Sequence, residues 1–111
     1  MTRLERVFGP FALLAASACA AAPRPLTAAE LEIYPEARGL PADVQDYIVR
    51  WQGCAHFLGE PWGDEERRRQ IERGIRAACP GIDARGRAVR RRHANEPEVL
   101  ARIAELEPLG Q

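Results

Sequence analysis

The sequence predicts an all-α domain of three or four short helices stapled by one disulfide, Cys54–Cys79. Three observations carry that expectation. Apolar residues beyond residue 40 recur at spacings of three and four, the period of one helix face. Proline, glycine and capping residues cut the chain into helix-sized pieces. No segment alternates apolar and polar residues as a half-buried strand does, and neither a hairpin dipeptide nor an internal repeat occurs.

The elements follow in order. Thr27 with Glu30 fits a capping box, so a short helix can start there and must stop at Pro35. Pro41 opens a stronger helix, with Val44, Tyr47, Ile48, Trp51, Ala55 and Leu58 on one face. Gly53 weakens it, and Gly59 and Pro61 end it. Asp64 caps the next helix and places Glu65 and Glu66 in its first turn, where the helix dipole favours negative charge. Its apolar stripe is Ile71, Ile75 and Ala78, and Pro80-Gly81 stops it. Asp83 can cap a further helix bearing Ala88 and Val89. Asn95 with Glu98, and Pro97 in the first turn, signals a last one lined by Val99, Leu100, Ile103 and Leu106.

Ahead of this domain (residues 27–111) stands a different kind of sequence. Arg3 and Arg6 precede an uncharged, mostly apolar run from Val7 to Ala16, and small residues follow. That is the three-part pattern of a cleavable signal peptide over residues 1–18, and the run is too short for a stop-transfer helix. Ala16-Ser17-Ala18 suits an ordinary signal peptidase. Ala16-Ser17-Ala18-Cys19 also resembles a bacterial lipobox, with Ala16 where Leu is usual. The resemblance implies that Cys19 becomes the lipid-modified first residue of the mature chain and anchors it to a membrane. Ala20 after the cysteine implies the outer membrane of a Gram-negative envelope. Residues 19–26 then read as the anchor and an extended, Pro-containing tether.

Cysteine counting agrees with this reading. The chain has three cysteines, an odd number for an oxidising compartment. If Cys19 takes the lipid, Cys54 and Cys79 remain as a pair. Their pairing raises a geometric problem. Cys79 lies roughly 22 Å along a helix from a cap at Asp64, at about 1.5 Å per residue. In a tight antiparallel hairpin, Cys54 would sit near the turn and far from Cys79. The two therefore meet only if the earlier helix ends near Cys54 or bends at Gly53, and the expectation is that His56–Gly63 runs back along the later helix as a packed, mostly irregular strap.

Composition narrows the function. Basic and acidic residues balance at 16 each, for a net charge of zero; removing Arg3, Glu5 and Arg6 with the leader leaves −1. That balance, and export, argue against nucleic acid as a partner. All the basic residues are Arg, so Schiff-base chemistry has no lysine. Ser17 is the sole serine and lies in the leader, so the mature chain has none for a Ser–His–Asp hydrolase. The sequence points to no cofactor and to no defined catalytic or metal-ligand set.

The densest chemistry is Cys54-Ala55-His56-Phe57-Leu58-Gly59-Glu60, followed by Trp62, Asp64, Arg67 and Arg68. This stretch resembles a Cys-x-His-Phe-x-Gly-Glu motif in small secreted or lipid-anchored proteobacterial proteins of unknown function, where an Asp, an Arg and a second Cys follow. The resemblance spans Trp51 to Cys79 and brings no activity with it. His56, Glu60 and Asp64 around one point would bind a metal or move a proton. Alternatively, they satisfy backbone groups and a helix cap, Arg67 or Arg68 pairs with a carboxylate, and Trp51, Phe57 and Trp62 pack around the disulfide. The arginines of the two central helices read first as a solvated face balanced by glutamates, and second as a surface for anionic head groups. The expectation is an exported envelope lipoprotein that binds a protein or glycan partner, with a small metal-dependent or acid–base enzyme as the alternative.

Overall fold

A computed structural model describes residues 22–111. The leader and Cys19 lie outside the described residues. Those residues form α1 (Ala28–Ile33), a 3-10 turn (Pro35–Ala37), α2 (Ala42–Gly59), α3 (Glu65–Ala78), α4 (Ile82–Arg92) and α5 (Pro97–Ile103). No strand occurs among them. No helix among them is long and apolar enough to cross a membrane.

The capping box at Thr27 forms as expected. Thr27 Oγ1 accepts from the Glu30 amide at 3.2 Å, and the Thr27 amide donates to Glu30 Oε2 at 3.1 Å. The Arg24 guanidinium beside Glu30 holds its carboxyl down at about 2, helped by the Thr27 amide. Pro35 ends α1 by turning the chain into one 3-10 turn. Buried Gln45 then ties this segment to α2. Its Oε1 accepts from the Leu26 amide and its Nε2 donates to the Ala37 carbonyl, both at 2.9 Å. Gln45 is 5% exposed, and these two bonds answer the cost of burying an amide.

The core gathers Val44, Tyr47, Ile48 and Cys54 of α2 with Cys79, Ile82, Val89, Val99 and Ile103. Ile71 of α3 is buried as well. Two side chains, one in the last turn of α2 and one in the linker after it, depart from expectation. Leu58 is 43% exposed, because the face of α2 that meets α3 here carries Phe57 instead. Trp62, expected in the core, is 65% exposed and faces the Arg68 guanidinium at 5.8 Å. Phe57 packs on Gly74, where an added Cβ would lie 2.4 Å from the ring. Trp51 is half-buried, its indole N–H donating to the Glu107 carbonyl at 2.7 Å.

The disulfide forms, with Cα atoms 4.9 Å apart, but not through the expected strap. The helix continues past Cys54 to Gly59. The geometric problem is solved by the linker instead. Glu60 and Asp64 are extended on either side of a left-handed Gly63, so the linker covers more length per residue than a helix does and carries the chain past the end of α2. The first two turns of α3 descend that same height at about 1.5 Å per residue. The register therefore sets Gly74 beside Phe57 and Gly53 beside Ala78, and Cys79 arrives level with Cys54.

Two later helices start differently from expectation. Gly81, at φ 70°, is the N-cap of α4, a left-handed conformation that glycine adopts without strain. Asp83, expected as that cap, turns toward the end of the chain. Its carboxylate accepts from the amides of Leu109, Gly110 and Gln111 at 2.8, 2.8 and 3.0 Å. These bonds, led by that from Leu109, hold the Asp83 carboxyl below its usual range. Glu96, not Asn95, is the N-cap of α5, and no side chain caps it. At the far end of α5, the Arg90 guanidinium donates to the carbonyls of Ile103 and Leu106 at 3.0 and 2.9 Å, answering acceptors that a helix end leaves free.

Candidate functional site

The motif residues sit at the end of α2 and the start of α3. His56 and Glu60 are one helical turn apart, and His56 Nε2 lies 2.9 Å from Glu60 Oε1. Arg67 reaches back from α3 to the other oxygen of Glu60. That hydrogen bond holds the Glu60 carboxyl below the usual range, against a smaller opposing effect of burial. Asp64 does not join them. Its Oδ1 accepts from the Arg67 amide at 2.8 Å as the N-cap of α3. Glu60 thus bridges the two helices, and Asp64 starts the second. Among the described residues, no group of three His, Cys, Asp or Glu side chains is placed to hold a metal ion.

A second cluster, which the sequence reading did not single out, lies at the opposite end of α2. His93 follows α4 and is 7% exposed. Its Nε2 lies 2.9 Å from Asp43 Oδ2, and its Nδ1 lies 2.5 Å from Glu96 Oε2. A neutral imidazole has a single N–H, whereas both ring nitrogens here face carboxylates. The arrangement therefore favours the imidazolium. The bond to Asp43, then that to Glu96, raises the His93 pKa above its usual value despite burial. Burial acts to push the Asp43 carboxyl up, but hydrogen bonds from His93 and Arg92 outweigh it and hold Asp43 below its usual range. Helix ends reinforce each charge: Asp43 is in the first turn of α2, and His93 is the C-cap of α4.

Next to this cluster, a cleft of about 390 Å³ opens between α2 and α4. Asp46 stands between two guanidiniums, with Arg50 Nε at 3.3 Å and Arg85 Nη1 at 2.5 Å. Arg92 Nη1 donates to Asp43 at 2.5 Å. Pro23 of the tether borders the same cleft. Local sequence signals could not tie Asp43 to His93, fifty positions away. The available hints were separate ones: an acid just inside a helix start, and a histidine just past an arginine-rich helix end.

No protein-family model, curated protein or solved structure matches the chain.

Proposed function

We propose that this chain is an exported envelope lipoprotein, anchored through Cys19 and acting as a non-enzymatic binding or accessory protein. The observation that carries the reading is the Cys54–Cys79 bond. It uses two of the three cysteines and leaves the one that ends the leader pattern. A disulfide also belongs to an oxidising compartment. A diacylglycerol and an amide-linked acyl chain on Cys19 would make the anchoring stable, where one chain alone is marginal. A binding role fits the chemistry of the motif. Glu60, His56 and Arg67 join two helices, and Asp64 caps one, which leaves none of them aimed at a shared reacting point. The partner class is an envelope protein or a glycan.

Mass spectrometry of the N-terminus of protein recovered from the envelope tests the anchor. The expected species begins at Cys19 and carries the mass of its acyl chains. An unmodified Cys19 rules the anchor out. Chemical crosslinking in intact envelopes, followed by pull-down, tests the binding role, with a reproducible protein or glycan adduct expected.

A further inference from the structure

The cleft between α2 and α4 has a one-sided chemistry. Arg50, Arg85 and Arg92 each commit one guanidinium nitrogen to Asp46 or Asp43. Among the described residues, their other nitrogens hydrogen-bond to no protein group. A guanidinium carries five N–H donors, so most of the donors around the cleft stay free. The two aspartates are not competitors for those donors. They fix the direction of the guanidiniums, and Asp43 is further neutralised by His93 behind it. With His93 charged, four cations face two carboxylates; Glu96 lies on the other side of the imidazole. The site is thus pre-organised to donate hydrogen bonds to an anion, and paired guanidinium forks suit phosphate oxygens.

The position of the cleft says where such an anion can come from. Pro23 lines it, and only Ala20, Ala21 and Ala22 separate Pro23 from Cys19. That length of chain extends at most about 14 Å. An anchor at Cys19 therefore keeps the cleft close to the bilayer surface, near the reach of its negative potential. We propose that the Arg50–Arg85–Arg92 cleft is a phosphate-binding site, seated to take the head group of an anionic lipid beside the anchor. The lipid source rests on the anchored reading; the phosphate chemistry does not.

The test uses the processed protein recovered from the envelope, with N-terminal mass measured first so that the state of Cys19 is known independently. In one arm the protein is titrated with inorganic phosphate, and the arginine side-chain N–H resonances are followed. In the other it is reconstituted in vesicles of phosphatidylcholine alone or with phosphatidylglycerol, and arginines are mapped after phenylglyoxal treatment. Phosphate is expected to shift the resonances of the three cleft arginines, and anionic vesicles to slow their modification severalfold while exposed Arg69 and Arg73 of α3 react alike in both. Arg85→Gln is expected to weaken phosphate binding roughly fivefold, the scale of one basic residue at an anionic surface. Arg69→Gln is the control, and circular dichroism verifies that both variants keep their helices. Phosphate shifts without vesicle protection overturn the head-group source and leave a site for free phosphate. No shift at the cleft arginines overturns the site, whatever the mass of Cys19.

Discussion

His93 is the residue whose chemistry the fold constrains most tightly. Its raised pKa means that its contribution to stability is fully present below the ordinary imidazole value of 6.5 and is lost as pH rises through the higher folded value. Asp43 works in the other direction. Its lowered pKa contributes above the ordinary carboxyl value and is lost as pH falls through the folded one. Stability from this cluster therefore peaks in mildly acidic solution and declines toward alkaline pH. Urea unfolding at a series of pH values should show that alkaline decline in the parent chain and not in His93→Gln. The variant should also be less stable by about 2 kcal/mol in acid, the scale of a lost hydrogen bond to a charged group. Two glycines make a second contrast at this scale. A Cβ at Gly86 would lie 2.7 Å from the Tyr47 hydroxyl, and one at Gly74 would lie 2.4 Å from the Phe57 ring. Tyr47 is buried whereas Phe57 is half-exposed, so only Phe57 can swing aside. Gly86→Ala should cost about 2 kcal/mol, in the range of overpacked cores, and Gly74→Ala clearly less, by the same denaturation measurement.

At the scale of elements, what was readable from the sequence was what is local. Thr27 with Glu30, Asp64, Pro35 and Pro80-Gly81 act within four or five residues of themselves, and each marks a real boundary. Asp83 is the instructive failure. Its position suited a helix cap, but Gly81 already supplies the turn, which frees the carboxylate for three backbone amides near residue 110. The cluster around His93 was illegible for the same reason, since it depends on bringing α2, α4 and α5 together. The extended linker was misjudged because a turn between helices was taken to be compact. Asp83→Asn should release the last residues. Amide hydrogen exchange at Leu109, Gly110 and Gln111 should then rise severalfold, because a neutral amide replaces a charged acceptor, while exchange in α2 changes little.

For the whole molecule, the disulfide joins α2 to the end of α3 across a separation of 25 residues. The chain-entropy account gives such a closure roughly 3–4 kcal/mol, a large part of the 5–15 kcal/mol typical of a folded domain. Reduction should lower the urea midpoint strongly without changing the native helix content first, and circular dichroism with and without reductant measures both. The all-α architecture was legible because periodicity and punctuation agree along nearly the whole chain. The way its two longest helices meet was not, because it depends on a path length through Glu60–Asp64.

That path length makes the linker a ruler. An extended residue advances about 3.3 Å and a helical one about 1.5 Å, so one extended residue gained or lost between Gly59 and Asp64 slides α3 past α2 by up to about two helical positions. Such a slip would carry Phe57 off its glycine and part the two sulfurs. A viable insertion there would have to arrive with a matching change of about two residues within α3, which makes this short exposed segment far less free to vary in length than its solvent exposure suggests.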